Sequence, residues 1–237
     1  TTEIYTLSLH DALPIFLYVL KENCTMVYKD NWKEPESQWN VVRISDLPFP
    51  VWTITSDNSY LYVGTQYGKL YKTTDFGNNW LEIKSNTFGF SISKIIVDKE
   101  NIIVGTYGGG IFTSTDYGET WKPASVGLHN FNISIIYKFE NKIFVGTKEG
   151  IIYYSDNMCK SFIRINDNIT DADVKSFATD GNDLFMGLSS GEIYYKDLSE
   201  IIFPDIQPPV LLSPQNYEED IELNTSLIWK ESTGSIG

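Results

Sequence analysis

Basic residues, cysteines and long apolar runs are all scarce in this chain of 237 residues. Its 18 lysines and arginines stand against 31 acidic residues, a net charge of −13. Binding to a phosphate backbone depends on neutralisation by lysine and arginine, so no nucleic acid is expected as a partner. The longest apolar run near the N-terminus, residues 16–20, is far below the ~20 residues that span a bilayer, so no membrane insertion is expected.

The residues of metal and catalytic sites are equally sparse. Cys24 and Cys159 form neither a disulfide framework nor a zinc-ligand spacing. His129 is the only histidine after residue 10, and no Ser/His/Asp or Cys/His set can be assembled around it. Acidic residues are plentiful, but no pair is marked by position as the two carboxylates of a glycosidase would be. We therefore expect no catalytic residue, no metal ligand and no cofactor.

The first fifteen residues differ in kind from the rest. They read TTEIYTLSLHDALPI, which resembles the in-frame translation of a common sequencing adapter over its whole length. Such a segment is set aside before the fold is considered. We expect residues 1–15 to be an artefact outside the fold, carried in from an assembled metagenomic sequence. The natural start would then be missing.

An internal repeat of 41 residues dominates the remainder. Glycines recur with this period in YVGT, IVGT, FVGT and FMGL, at Gly64, Gly105, Gly146 and Gly187. A second series of glycines, each followed by an apolar pair, keeps the same period: Gly68, Gly109, Gly150 and Gly191. Runs typical of a first strand begin at Val51, Ile92, Ile133 and Val174. Repeats of this length indicate an array of one supersecondary unit.

One unit reads as four short strands: a (SKIIVD), b (NIIVGT), c (GIFTST) and d (TWKPAS). Four strands in about 40 residues are typical of a β-propeller blade. The predicted fold class is all-β: a partial β-propeller over residues 16–203, with four units that have their own strand a and strands b to d of one more at the start. The last unit is weak in its outer strand. Further blades are expected upstream.

The turn between strands c and d carries the most specific motif. Its two good copies place a hydroxyl, an aspartate, a glycine and a tryptophan at fixed spacing: Thr73, Asp75, Gly77 and Trp80, then Ser114, Asp116, Gly118 and Trp121. The third copy is degenerate: Ser155, Asn157, Cys159 and Phe162. Oxygen-bearing side chains bind turn N–H groups, glycine supplies a positive φ, and the tryptophan is expected to be buried between sheets. These residues are interpreted as structural.

This motif resembles the Asp-box, or BNR repeat, found in β-propellers of the sialidase and YCF48 types. Sialidases hold the substrate carboxylate with three arginines, and this chain has only Arg43 and Arg164. The resemblance implies a non-enzymatic binding or scaffolding propeller in a larger secreted or cell-surface protein, bacterial in origin. Two alternatives stay open: a fragment of an Asp-box glycoside hydrolase whose catalytic residues lie outside this chain, and a propeller similar to photosystem II assembly factors.

The composition changes after Phe203, where prolines punctuate a linker. Residues 204–237 resemble the first two strands of a fibronectin type III or immunoglobulin-like module, with Trp229 on the second. About 30 residues cannot complete such a β-sandwich of ~100 residues. We therefore expect a truncated module here.

Any ligand is expected where the loops vary on a constant scaffold. In a four-stranded blade the b–c turns and d–a connections emerge on one face, and here they carry Tyr67, Tyr107, His129 and Phe131. Turn aromatics can stack on a glycan or a protein ligand. The alternative is that they only cover the ends of the sheets.

Overall fold

A computed structural model describes residues 50–57, 59–75, 77–84, 88–166 and 172–201, the single residues 38, 44 and 47, and the backbone of six further short strands. The chain divides into two compact units, Thr1–Lys196 and Asp197–Gly237. The boundary expected at residue 203 lies outside the described residues and stays a prediction. Each unit is described separately.

The described part of the first unit contains five antiparallel sheets, and within each sheet the strands follow chain order. The first two sheets contain β1 (Glu3–Tyr5), β2 (Leu17–Lys21), β3 (Thr25–Lys29) and β4 (Asn40–Arg43), then β5 (Val51–Ser56), β6 (Leu61–Thr65), β7 (Leu70–Thr73) and β8 (Leu81–Ile83). The third contains β9 (Ile92–Asp98), β10 (Asn101–Thr106), β11 (Gly110–Ser114) and β12 (Lys122–Pro123). The last two contain β13 (Ile133–Phe139), β14 (Lys142–Thr147), β15 (Ile152–Ser155) and β16 (Ile163–Arg164), then β17 (Val174–Thr179), β18 (Asp183–Leu188) and β19 (Ile193–Asp197). The predicted all-β class and the a–b–c–d order are confirmed.

The N-terminal segment expected to be an artefact takes part in one strand pairing, and its assignment as an artefact stays a prediction. Glu3–Tyr5, inside the segment expected to lie outside the fold, pairs antiparallel with β2. The first repeat has no strand a of its own in the sequence pattern. The edge of β2 therefore has free backbone hydrogen-bonding groups, which can pair with an extended segment such as Glu3–Tyr5. The neighbouring Leu7, Leu9 and Leu13 lie outside the described residues.

The second strand is buried on both faces in the second, third and fourth sheets. All five residues of β6 are buried, as are the last five of β10 and of β14. A continuous apolar run such as IIVG is typical of a strand covered on both sides. One apolar core joins the second and third sheets and contains Leu70 from β7 and Ile92 from β9. Another joins the third and fourth sheets and contains Ile111 and Ile133.

The glycine in strand b lets neighbouring sheets approach closely. A β-carbon at Gly105 would lie 2.8 Å from Cγ2 of Ile133, and one at Gly146 would lie 2.5 Å from Cβ of Val174. Both opposing residues begin strand a of the next sheet. The glycine that recurs every 41 residues therefore makes the same contact with the next sheet in each repeat.

Strand a is bulged at the same place in four sheets. The register shifts by one residue near its start, so that strand a has one residue more than strand b over this stretch. The additional residues are Trp52, Ser93, Ser134 and Lys175. These positions are again 41 residues apart. A bulge turns the following side chains and sharpens the twist.

The second unit contains a 3₁₀ turn at Leu198–Glu200, capped by Asp197, which accepts a hydrogen bond from the Ser199 N–H at 2.7 Å. Beyond it β20 (Val210–Ser213) pairs antiparallel with β21 (Ile228–Lys230). Two strands were expected here, with Trp229 on the second. The fibronectin- or immunoglobulin-like identity of the module stays a prediction.

Candidate functional site

The b–c turn and the preceding d–a loop lie side by side in each of four sheets. The backbone N–H that opens the turn donates to a carbonyl of the loop, with N–O distances of 2.8–3.1 Å: Gln66 to Pro50, Tyr107 to Ser91, Lys148 to Asn132 and Ser189 to Asp173. This is the face on which the sequence places the candidate ligand residues. We call residues 50–52, 66–68, 89–91, 107–109, 129–132 and 148–150 the loop face.

Three side chains from successive sheets form a row on the loop face. The ring of Trp52, in the bulge of β5, meets the ring of Tyr107 edge to face with centroids 5.5 Å apart. The ammonium group of Lys148 lies 4.2 Å from the centroid of Tyr107. Trp52 is 38% exposed. An indole, a phenol and a cation are thus presented together, a combination suited to stacking and to binding a carboxylate.

Two phenylalanines extend the row over the glycines of the turns. The Phe90 ring lies over Gly109, where a β-carbon would come within 2.5 Å of its Cδ2. The carbonyl of Phe131 accepts hydrogen bonds from the N–H groups of Gly108 and Gly110, at 3.0 and 3.1 Å. Both rings are exposed. Glycine is required in these turns because a side chain would displace the rings.

A polar cluster borders this aromatic surface. The carboxylate of Glu149 accepts hydrogen bonds from the Asn130 and Asn132 side-chain amides, at 2.7 and 3.1 Å. The d–a loop of the fourth sheet is thereby attached to the b–c turn of the same sheet. The loop face is therefore held in shape before any ligand binds.

The structure places the four predicted ligand residues as follows. Tyr107 and Phe131 come together, because residue 107 forms an isolated antiparallel bridge with Asn132. Tyr67 lies in the b–c turn of the second sheet and is 60% exposed. His129 is exposed on the loop face, and its backbone N–H donates to Tyr153 Oη at 3.1 Å. Their role in binding stays a prediction.

Sequence reasoning gave no weight to Trp52 or Lys148. In the sequence, Trp52 looks like an ordinary residue of strand a. Its position on the loop face depends on the bulge in β5. Lys148 lies in the b–c turn of the fourth sheet, but its contact with Tyr107 joins two repeats. The aromatic character of position 52 was the only available signal.

The opposite face carries the c–d turns, whose polar groups bond to each other. Ser114 Oγ donates to Asp116 Oδ1 at 2.7 Å and accepts from the Gly118 N–H at 2.9 Å. Asp116 Oδ1 also accepts from the Thr120 N–H at 2.8 Å, and Oδ2 accepts from the Thr120 hydroxyl. The Thr120 side chain, the Thr120 N–H and Ser114 together lower the pKa of Asp116 to about 2.

The other two copies repeat this network. Thr73 Oγ1 donates to Asp75 Oδ1 at 2.7 Å, and hydrogen bonds from the Asn79 side chain and from Thr73 lower the pKa of Asp75 to about 2. In the degenerate copy Ser155 Oγ donates to Asn157 Oδ1 at 2.9 Å. The Cys159 N–H takes the place of the glycine N–H, with φ of 63°. Burial raises the pKa of the Cys159 thiol to about 12, so it is not a reactive thiolate.

The motif tryptophans are less buried than the sequence predicts. Trp80 and Trp121 are only half-buried, while Phe162 at the same position is 3% exposed. Trp121 packs edge to face on Phe88 with centroids 4.8 Å apart, and its Nε1 donates to the Gly118 carbonyl at 3.0 Å. An indole is too large to be enclosed fully at the outer strand, so part of each ring stays in contact with solvent.

The described residues offer neither a metal-binding cluster nor a membrane-spanning helix. No group of three histidine, cysteine or acidic side chains in this part of the chain is arranged to hold a metal ion. No helix among the same residues has the length and hydrophobicity needed to cross a bilayer.

Solved structures of low sequence identity share the fold. YCF48 from Cyanidioschyzon merolae matches with a TM-score of 0.56 at 18% identity, over 77% of this chain and 66% of that one. YCF48 bound to a D1 peptide matches with a TM-score of 0.60 at 14% identity, over 84% and 67%. An ancestral GH74 enzyme matches with a TM-score of 0.59 at 18% identity, over 83% and 30%. No protein-family profile and no curated protein matches the chain.

These similarities identify the fold as a β-propeller of four-stranded sheets. The predicted partial β-propeller is confirmed at this level. The chain spans 66% of the length of the YCF48 from Cyanidioschyzon merolae and 30% of the length of the GH74 enzyme. At these identities the likeness concerns the fold alone.

Proposed function

We propose that the chain is part of a non-enzymatic Asp-box β-propeller that binds a peptide segment of a protein partner on its loop face, within a larger secreted or cell-surface protein. The observation that carries the proposal is the row formed by Trp52, Tyr107 and Lys148. It joins three sheets, exposes aromatic surface and places a cation beside it. Large exposed aromatic groups beside a charge are typical of binding hot spots.

The contrast between the two faces supports this choice. The acceptors and donors of the c–d turns are used within each turn, at Asp75, Asp116 and Asn157. Their geometry is what an Asp-box would need for a structural role. The loop face differs in sequence from sheet to sheet, as a recognition surface does. The similar YCF48 structure is bound to a D1 peptide, which favours a peptide over a glycan.

The test starts with the 237-residue chain on a peptide array and a glycan array, followed by calorimetry on the best peptide. Tyr107→Ala and Lys148→Met are each expected to weaken peptide binding at least about tenfold, the scale of one interface hot spot. Tyr117→Ala is the matched control because Tyr117 is exposed at a c–d turn on the opposite face. Loss of binding in Asp75→Ala with an unchanged circular dichroism spectrum would contradict the choice of face.

A fragment of an Asp-box glycoside hydrolase is the second candidate, favoured by the similarity to the GH74 enzyme. In that case the carboxylate pair lies outside this chain, and the loop face contributes aromatic platforms for sugars. Glycan binding on the array, combined with release of reducing sugar by the longer parent protein, would favour it. Peptide binding without sugar release would exclude it.

A further inference from the structure

The fifth sheet exposes apolar residues whose counterparts are buried in the three sheets before it. Ile193 in β19 is 76% exposed. The residues one, two and three repeats earlier are 0% exposed: Ile152, Ile111 and Leu70. Phe185 in β18 shows the same change, since it is only half-buried while its counterparts are at most 4% exposed: Phe144, Ile103 and Tyr62. The apolar residues are thus kept, and the described residues do not supply the surface that buries them elsewhere.

The glycine of strand b shows what covers this side in the earlier sheets. Among the described residues, a β-carbon at Gly187 would meet only Ser176, which belongs to the same sheet. In the second, third and fourth sheets the β-carbon would collide with the first residue of strand a in the next sheet: Gly64 with Ile92, Gly105 with Ile133 and Gly146 with Val174. The fifth sheet therefore keeps the glycine that a following sheet requires, while no described residue of another sheet lies beside it.

Two carboxylates border this uncovered side. Strand alternation places Asp183 on the same face of β18 as Phe185 and Gly187, and Asp197 on the same face of β19 as Ile193. Their counterparts in the covered sheets stay half-buried or exposed, so a charge at these positions remains in contact with solvent: Lys142, Asn101 and Tyr60, then Asp156, Thr115 and Thr74. We define the end face as the part that is covered in the earlier sheets: Ser176, Phe185, Gly187, Ile193 and Tyr195.

We propose that the end face is covered by a further blade of the same propeller, whose strand a begins with a β-branched residue that packs against Gly187. This contact continues the interface that the chain already makes between three successive pairs of sheets. Exposed apolar surface at the end of a repeat array is the surface that a neighbouring repeat buries. A second copy meeting end face to end face would leave Gly187 without the strand a residue that the same glycine meets in the three sheets before it.

The covering blade is not the segment that follows the fifth sheet in sequence. The c–d turn positions of the fifth repeat hold Lys196, Leu198 and Glu200, so the motif of the earlier blades is lost, and a 3₁₀ turn forms there. The second compact unit begins at Asp197. One repeat after Val174 the sequence reads QNYEED in place of an apolar strand. The blade is therefore assigned to the part of the parent protein before residue 16, which closes the array into a ring of blades around a channel.

Thiol labelling of the 237-residue chain and of the longer parent protein tests the proposal. In the shorter chain Ile193→Cys should react readily with a maleimide, because residue 193 is exposed. In the parent protein the same thiol should react at least about tenfold more slowly, because a buried residue reacts only when the structure opens. Leu81→Cys is the matched control: Leu81 is 63% exposed on β8 of the second sheet, and its thiol should react equally fast in both proteins. Mass spectrometry of the labelled peptide identifies each site, so other cysteines do not interfere.

Gly187→Ala gives a second measurement that uses no thiol. In the parent protein it should lower the midpoint of thermal unfolding about as much as Gly105→Ala does, whereas in the 237-residue chain its effect should be much smaller. An equally small effect in both proteins would overturn the proposal, as would equal labelling of Ile193→Cys in both. Slow labelling already in the 237-residue chain would also overturn it, because another part of this chain or a second copy would then cover the end face. Protection in the parent protein should be independent of its concentration, and protection that increases with concentration would assign the cover to a second copy instead.

Discussion

Trp52 and Tyr107 lie on different sheets and meet edge to face, with ring centroids 5.5 Å apart. Residues 52 and 107 are 55 positions apart, more than one repeat, so the contact joins the strand a bulge of one sheet to the b–c turn of the next. Lys148, from the sheet after that, lies 4.2 Å from the centroid of Tyr107. The loop face is thus built by contacts between repeats, and no single repeat contains a site.

Trp52 and Tyr107 should be energetically coupled. In a double-mutant cycle of Trp52→Ala and Tyr107→Ala, we expect a coupling free energy of about 0.5–1.5 kcal/mol, the range for edge-to-face aromatic pairs. Urea unfolding of the four proteins measures it. The cycle of Trp52→Ala with Tyr117→Ala, a pair on opposite faces, should be additive. Additivity in the first cycle to within about 0.3 kcal/mol would mean that the rings do not stabilise each other.

The repeat and the order of the strands were predictable because both depend on short segments of sequence. Glycine, apolar and turn residues recur every 41 positions, and each strand is a short run of its own. The polar c–d turns were predictable for the same reason, since Ser114, Asp116 and Gly118 bond within five residues of one another. Even the degenerate copy keeps the network, because Asn157 has an oxygen at the required position.

The bulges and the row on the loop face could not be predicted in this way. The four bulge residues are a tryptophan, two serines and a lysine, so no residue type marks the position. A bulge is a property of register between two strands, and register is decided by packing against the next sheet. The half-burial of Trp121 has a similar origin, since it depends on Phe88 from the d–a loop that follows the preceding sheet.

Gly105→Ala should destabilise the protein because the added methyl group would overlap Ile133 and Ile136, whose atoms lie 2.8 and 2.9 Å from the β-carbon position. Overpacking of a well-packed core costs about 1–3 kcal/mol. Gly187→Ala is the matched control, since among the described residues a β-carbon there meets only the movable Ser176 side chain. Thermal unfolding should show a clear drop in the midpoint for the first variant and a much smaller one for the second. Equal drops would mean that the glycines serve backbone conformation alone.

Asp116 should make unfolding free energy depend on pH in the acid range. Its pKa is lowered from 3.8 to about 2 in the folded chain, so its stabilising effect is complete above pH ~4 and is lost as the pH falls through about 2. Asp116→Asn should keep the turn, because Asn157 bonds in the same way in the next copy. Urea unfolding at pH 5 and pH 2.5 should therefore show a smaller acid loss for this variant than for the native chain. An equal loss would assign the acid sensitivity to other carboxylates.

Ser134 and Ser93 occupy the same bulge position in neighbouring sheets but differ in their bonding. Ser134 Oγ is within hydrogen-bond distance of the carbonyls of Gly146 and Val174, at 3.0 and 2.8 Å, and so joins the fourth sheet to the fifth. Ser93 Oγ is buried with no hydrogen-bond partner among the described residues. Loss of a satisfied hydrogen bond costs about 0.5–1.5 kcal/mol, whereas replacing an unsatisfied buried hydroxyl by a methyl group removes a desolvation penalty.

We therefore expect Ser134→Ala to lower the unfolding free energy by about 1 kcal/mol and Ser93→Ala to leave it unchanged or raise it. The two variants control for each other, because each deletes one hydroxyl at an equivalent backbone position. Urea unfolding of both proteins at pH 7 measures the difference. If Ser93→Ala proves the more destabilising of the two, the hydroxyl of Ser93 must have a partner in solution, and the bulge of the third sheet would then join neighbouring sheets as that of the fourth does.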